Sequence, residues 1–508
     1  MKQKLFLSLF ALLSTTTAWA VVIINERSFP DEKFRNWVLS QNYSADGMLV
    51  NTEIAGITSI NLSNKGIKSL KGIEYFTALT RLDCSNNQLT SLDVSRCTAL
   101  KDLNCDGNLL TSLNVSQNTA LTKLYCGYNR LTTLNVSGCT ALTFLGCGNN
   151  ELTSLDVSQN TALYYLYCYE NQLTSFNVSG CTALSGLFCY DNQLTSLNLS
   201  GCTALTRLDC SNNQLTSLDV SGCTALDILL CCDNQLTSLD VSGCTRLWGL
   251  YCYDNQLNSL DMSGYTTLVQ LYCYNNQLTS INVSGCSALV RLYCYENQLT
   301  SFNVSGCTAL EELYCYNNQL TSLDMSGCTR LGILSCQDNL LTSLDLLGCT
   351  ALSWLICYDN QLISLDVSQN GALTYLSCTG NQLTSLYVSK NMALQSLRCY
   401  QNQIKDSEMD ALLENLPTVS NGYMYAIHSE NEQNVMTTVQ VAAAKAKGWT
   451  VYYCDEDIEQ EYAGSEPMGI GILTADDTKA NSYNLSGQRT NGLMKGLNIV
   501  DGKKVMVK

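Results

Sequence analysis

Apolar residues return along most of this chain in one fixed order. One unit runs Leu79-Thr80-Arg81-Leu82-Asp83-Cys84-Ser85-Asn86-Asn87-Gln88-Leu89 and continues Thr90-Ser91-Leu92-Asp93-Val94-Ser95-Arg96-Cys97-Thr98-Ala99. The cysteine recurs every 21 residues, sixteen times from Cys84 to Cys399, and an asparagine follows each one three residues later, from Asn87 to Asn402. Alternation around Leu-x-Cys predicts a short strand with Leu and Cys turned inward and the residues flanking Cys turned outward. The asparagine predicts a turn whose backbone groups its amide satisfies. The return segment, Leu-Thr-Ser-Leu-Asp-Val-Ser, is too short for an α-helix and should be extended or carry single 3₁₀ turns. Self-similarity at this period makes the chain a stack in which each unit packs on its neighbours.

The flanks depart from the period. Met1-Lys2-Gln3-Lys4, the apolar run Leu5 to Leu13 and Ala18-Trp19-Ala20 predict a signal peptide over residues 1–20, cleaved before Val21. Residues 21–56 predict a helical cap, with a helix over Pro30 to Gln41 opened by Asp31 and Glu32. Asn42 to Glu53 then has the pattern of a twelve-residue EF-hand loop, in which Asn42, Ser44, Asp46, Met48 and Glu53 would ligate Ca²⁺. Positions one and three are neutral, which favours a cap that keeps the loop's shape without the ion. Residues 57–78 form a degenerate first repeat, 79–402 the regular array and 403–462 an α+β cap. That cap is predicted from helices over Asp406 to Leu416 and Gln433 to Lys447 and strands over Gly422 to Ile427 and Trp449 to Tyr453. Residues 463–508 form a linker and a terminal hairpin around Asp501-Gly502.

The unit is the leucine-rich-repeat pattern L-x-x-L-x-L-x-x-N-x-L with Cys in the third apolar slot. In period, Cys slot, Asn slot and return segment, residues 57–402 resemble the internalin J family of bacterial leucine-rich-repeat proteins. That resemblance implies a solenoid with parallel strands on a concave face and an extended or 3₁₀ convex side, in an exported surface protein that binds ligands of host or neighbouring cells. The stretch before the repeats resembles the family's EF-hand-like cap. A second cysteine row, Cys97, Cys139, Cys181, Cys202, Cys223, Cys244, Cys286, Cys307, Cys328 and Cys349, departs from the family, where Asn is more usual. The segments Tyr483-Asn484-Leu485-Ser486-Gly487-Gln488-Arg489 and Gly496 to Lys508 resemble C-terminal sorting domains of the type IX secretion pathway, which implies a place at the outer membrane or outside the cell.

Twenty-eight cysteines in an exported chain suggest disulfides at first. Equivalent residues of stacked strands lie about 4.8 Å apart and point the same way, whereas a disulfide needs side chains turned toward each other. The ladder is therefore read as buried thiols, and two linear rows offer no four-ligand metal cluster. In the second row, interchange of Cys with Asn118, Asn160, Asn370, Asn391 and Tyr265 predicts a half-buried turn position. Cys232 falls on the solvent side of its strand and reads as a reactive thiol.

The formal charge of −16, from 44 acidic against 28 basic residues, argues against nucleic acid and anionic lipid as partners. No transmembrane segment is expected, the chain reads as a monomer, and no cofactor is expected beyond the Ca²⁺ alternative. His428 is the sole histidine, so a histidine-based catalytic array has no constituents in the repeats. The outward strand residues carry the candidate site. They are Tyr167 and Tyr169, Phe188 and Tyr190, then Tyr251, Tyr253, Tyr272, Tyr274, Tyr293, Tyr295, Tyr314 and Tyr316 over four consecutive repeats. The block spans roughly 15 Å, and a carboxylate row, Glu170, Asp191, Asp233, Asp254, Glu296, Asp338 and Asp359, runs beside it. Tyrosine gives amphipathic contact area at little entropic cost, so the concave face is read as binding an extracellular protein or glycan. The alternative is a structural spacer roughly 75 Å long without a ligand.

Overall fold

The computed structural model describes residues 21–465, except Ala45, Ser429, Glu456 and Asp457, together with strand segments between Ser482 and Val507. The expected signal peptide and sorting-segment turn lie outside the described residues. Met1–Asp261 with Tyr265–Leu278 makes one compact unit, and Met262–Gly264 with Thr279–Lys508 makes a second.

In the first unit, concave strands run in parallel from Ser59–Asn61 and Arg81–Asp83 to Gly249–Tyr251 and Gln270–Tyr272. Their register follows the sequence period: Leu82 pairs with Leu103 and Leu103 with Leu124, whereas Ile60 of the degenerate repeat pairs with Leu82, one residue out of step. Each strand holds three residues centred on the leucine, as in Arg81-Leu82-Asp83, and the cysteine follows its end. This is one position earlier than Leu-x-Cys suggests, because the backbone leaves the ladder to enter the asparagine turn. The return segments are extended, with short parallel pairs such as Ser112–Asn114 on Thr133–Asn135 and Leu155–Asp156 on Phe176–Asn177. The second unit repeats this plan from Arg291–Tyr293 to Ser396–Arg398.

Leu79, Leu82, Cys84, Leu89, Val94 and Cys97 are fully buried, and the same slots are closed in the following turns. None of the 28 cysteines is in a disulfide, and all are buried except Cys454. Burial in an apolar stack disfavours the thiolate, so the Cys147 and Cys252 thiols are pushed up to about 12. Thiol titration of the native chain should therefore register Cys454 alone, and guanidinium should release the rest. A native count near ten would contradict this packing.

The second cysteine row is fully buried, a correction to the half-buried position expected. The slot serves a carbonyl 24 residues upstream: Cys139 Sγ donates to Val115 O at 3.3 Å and Cys244 Sγ to Val220 O at 3.4 Å. Asn118 Nδ2 donates to Val94 O at 3.0 Å, and Tyr265 Oη to Val241 O. What the slot requires is a donor, which explains the interchange of three unlike residues. Asparagine leaves its own oxygen there without a partner at Asn118, Asn160, Asn370 and Asn391. Cysteine brings one donor and only a weakly accepting sulfur, so it fills the slot without orphaning a strong acceptor.

The ladder asparagines each bind several backbone groups, five at Asn87 and four at Asn234. Asn234 Nδ2 donates to Cys210 O, Cys231 O and Cys232 O at 3.0–3.2 Å, and its Oδ1 accepts from Leu215 N at 2.9 Å. One side chain thus ties two repeats and closes its own turn.

At the N-terminal end the helix is Glu32–Leu39, and Asp31 caps it by accepting from Phe34 N at 2.9 Å. The other Asp31 oxygen accepts from Lys68 N at 2.7 Å, which fastens the cap to the first repeat. Met48–Leu49 pairs with Val22–Ile23. Glu53 Oε2 accepts from Val50 N at 3.0 Å, and the buried Ser44 hydroxyl donates to Val38 O. Asp46 Oδ1 accepts from Met48 N at 3.0 Å, so three of the residues at EF-hand ligand positions are engaged with backbone. Addition of Ca²⁺ or chelator should leave the melting temperature unchanged; a rise of several degrees with Ca²⁺ would contradict the ion-free cap.

The C-terminal cap continues the ladder of the second unit. Gly422–His428 pairs in parallel with Ser396–Arg398 and with Trp449–Asp455, and the helices are Ser407–Asn415 and Thr438–Ala446. A further strand, Ile458–Glu461, closes it antiparallel. Asn434 takes over the ladder role: its Nδ2 donates to Cys399 O at 2.8 Å and its Oδ1 accepts from Ile404 N at 2.7 Å. Gly496–Val500 pairs antiparallel with Lys503–Val507, as the terminal hairpin requires. Among the described residues no helix is long and apolar enough to cross a membrane.

Candidate functional site

Four positions per repeat reach the concave face: the two residues flanking the strand leucine, the residue after the cysteine, and the one after that. Leucine and cysteine face inward, so these positions are free of the core and can vary. Each of the twelve aromatics singled out in the sequence is half-buried here.

In the first unit Tyr167 stacks on Phe188 with ring centroids 4.5 Å apart, and Tyr169 on Tyr190 at 4.8 Å. Tyr253 stacks on Tyr274 at 4.4 Å, and Tyr251 meets Tyr272 edge-on at 5.0 Å. In the second unit Tyr295 stacks on Tyr316 at 4.4 Å, and Tyr293 meets Tyr314 edge-on at 4.7 Å. Rings after the cysteine thus lie face to face in all three pairs, whereas those before it stack at Tyr167–Phe188 and meet edge to face at Tyr251–Tyr272 and Tyr293–Tyr314. Both arrangements favour adjacent strands, and they hold the rings in place for a partner.

The carboxylate row has a backbone cause. Every residue in this fourth position has φ between 48° and 64°, from Asn86 and Gly107 to Gly380 and Gln401. Asn, Asp and Gly tolerate that left-handed conformation best, and they fill the column except at Tyr128, Glu170, Glu296 and Gln401. The acids still form a field: burial raises the Asp359 carboxyl, and neighbouring Asp338 adds to it. Burial likewise raises Asp233, with Asp254 adding to it.

Cys232 is 4 % exposed, and its Sγ donates to Ser211 Oγ at 3.1 Å. Burial raises its pKa. The reactive thiol expected there is corrected to a packed one, because the neighbouring rings and strands close over that position.

Sequence reasoning passed over the first concave column, which holds Phe144, Tyr165, Trp354 and Tyr375. Trp354 stacks on Tyr375 at 4.1 Å. It also passed over a slot in the first unit. Gly127 and Gly148 stand where Tyr stands in later repeats, and Gly146 adjoins them. With Tyr125, Tyr128, Phe144, Tyr167, Tyr169 and Asp106 they enclose about 230 Å³. None of these glycines has a positive φ, so space is what they supply: a Cβ at Gly148 would lie 2.8 Å from the Tyr169 ring, and one at Gly127 2.9 Å from Gly148 O. Cys126-Gly127-Tyr128 and Gly146-Cys147-Gly148 were the available signal.

Asp106 closes one end of the slot. Its Oδ1 accepts from Gly127 N at 2.6 Å, and burial, with Asp83 adding to it, pushes its carboxyl from 3.8 up to about 6. A carboxyl raised on folding favours the fold fully below the unfolded value near 4, and that contribution is lost as pH rises through 6. Asp106→Asn keeps the acceptor and removes the charge. It should therefore melt higher than the parent at pH 7.5, by about 1–2 kcal/mol after allowance for solvent screening, and no higher at pH 4. Equal stability at both pH values would contradict a desolvated carboxylate.

The family model of the leucine-rich-repeat domain of the endo-β-N-acetylglucosaminidase EndoS matches residues 29–171. The structure is similar to the functional domain of InlJ from Listeria monocytogenes, which includes a cysteine ladder. Sequence identity is 32 % with a TM-score of 0.59, covering 81 % of this chain and 83 % of that one. Internalin J of Listeria monocytogenes serotype 4b (strain F2365) is 36 % identical over 71 residues, which are 14 % of this chain and 8 % of that protein.

Proposed function

Because the chain belongs to the leucine-rich-repeat proteins built on a cysteine ladder, as the InlJ functional domain is, we propose that it is an exported surface protein that recognises an extracellular protein or glycan with its concave face. The observation that carries this reading is the ordered set of half-buried rings confined to particular repeats. The repeats around Asp83 and Ser85, or Ser377 and Thr379, carry the same fold with small polar residues in those slots. Aromatics there are therefore optional for folding, and large ordered aromatic surface usually meets a partner. Export rests on the residue pattern of positions 1–20. Attachment through a type IX sorting segment rests on the resemblance of the last residues, with their antiparallel strands in keeping.

The test is a screen of the mature chain on extracellular-protein and glycan arrays. Beside it runs a variant with Tyr251, Tyr253, Tyr272, Tyr274, Tyr293, Tyr295, Tyr314 and Tyr316 changed to Ser, after a melting check. Hits lost in the variant support the reading. Hits kept in full place recognition elsewhere, and an array without hits favours the spacer.

A further inference from the structure

The slot between Asp106 and Tyr169 has a composition unlike the rest of the concave face. One wall is a run of rings in contact: Tyr125 and Phe144 centroids lie 4.6 Å apart, Phe144 and Tyr167 5.4 Å. Tyr169 stands at 87° to Tyr167 with centroids 6.5 Å apart, so two ring planes meet as a corner. The floor is glycine, and a carboxylate held by Gly127 N closes the open end. No cation is among the lining residues. The nearby Arg81 pairs with Asp102 at 3.4 Å.

We propose that this slot binds an alkylammonium group, as a lysine side chain of a partner polypeptide carries it. Ring faces attract a cation through their quadrupole. The carboxylate supplies the opposite charge at one end, and the methylene stem fits between the rings. A chain of net charge −16 draws basic segments toward it over longer range. A neutral ring with hydroxyl groups could use the rings and the carboxylate, but it would gain nothing from the uncompensated charge. The inference rests on the concave-face reading and narrows its partner to a basic protein segment.

The probe is Nα-acetyl-lysine N-methylamide, titrated onto the mature full chain by ligand-detected NMR. Its neutral norleucine counterpart and N-acetylglucosamine run in parallel. The lysine probe should bind at least tenfold more tightly than either. Asp106→Asn and Gly148→Ala should each weaken it at least tenfold, and Asp219→Asn, an equal charge change on an exposed return segment, should leave it unchanged. Melting curves show that each variant is folded, and Asp106→Asn, which adds no bulk, decides the matter if Gly148→Ala fails to fold. Equal binding of the lysine probe by parent and Asp106→Asn overturns the inference, as does a sugar or norleucine probe that binds as well as lysine. Array hits that vanish with the eight-tyrosine variant yet survive Asp106→Asn, with no lysine-probe binding, overturn this inference alone and leave the wider reading standing.

Discussion

Asn234→Ala should lower stability by about 3–5 kcal/mol, the largest loss expected from any single polar substitution in the array. The side chain serves three carbonyls and one amide, all of them within the first unit. Each hydrogen bond contributes about 1 kcal/mol net, and a buried group left bare costs about 1–3 kcal/mol. Leu215 N has no route to water in a stack whose neighbouring side chains are closed. Asn234→Asp should lose nearly as much, because it keeps the acceptor and forfeits the three donations. Gln235→Ala, at the exposed adjacent position, should stay within about 0.5 kcal/mol. Chemical denaturation measures the difference. Hydrogen exchange should show the loss first in the repeats on either side, since each repeat is supported by its neighbours. A loss no greater than that of Gln235→Ala would contradict the asparagine ladder as the element closing each turn.

Replacing the rings should have the opposite balance of effects. Changing Tyr251, Tyr253, Tyr272 and Tyr274 to Ser removes one stacked and one edge-on pair from the first unit. Changing Tyr293, Tyr295, Tyr314 and Tyr316 does the same in the second. A ring pair contributes about 0.5–1.5 kcal/mol beyond its area, so each fourfold variant should melt only a few degrees lower. Aromatic hot spots contribute about 2 kcal/mol or more each to binding. Affinity for an array hit should therefore fall at least tenfold in either fourfold variant and on the order of a hundredfold or more with all eight changed. Surface plasmon resonance at matched folded fraction separates the two effects. A melting loss without an affinity loss would assign the tyrosines to strand packing.

Most of the scaffold was legible because it obeys a period. A leucine or cysteine out of step would be visible in one line of sequence, and the register of Leu82 on Leu103 on Leu124 follows from counting. The asparagine role was legible because an amide is the side chain that both donates and accepts in a turn. Less legible were features set by backbone geometry or by another element. The left-handed fourth position explains why Asp191 and Asp254 alternate with Asn212 and Asn275, and φ is not written in the pattern. The burial of the second cysteine row depends on a carbonyl 24 residues away. Cys232 was misjudged because alternation places it outward, while Ser211 and the adjacent ring close over it. Of the site, the tyrosine columns were visible as repeated letters. The slot was not, because it is made of missing side chains, Gly127, Gly146 and Gly148, and of a first column whose Phe144 leans over them. Asn434 in the C-terminal cap was invisible for another reason: it completes the ladder from outside the repeat.

The most direct test of recognition by the concave face is residue-resolved footprinting of the mature chain with and without its tightest array hit. Hydroxyl-radical labelling reads tyrosine, phenylalanine and tryptophan side chains one by one. The account predicts protection of Tyr253, Tyr274, Tyr295 and Tyr316. Labelling of the exposed Tyr387, on a return segment, should be unchanged. Protection of Tyr387, with the concave rings labelled as in the free chain, would contradict it.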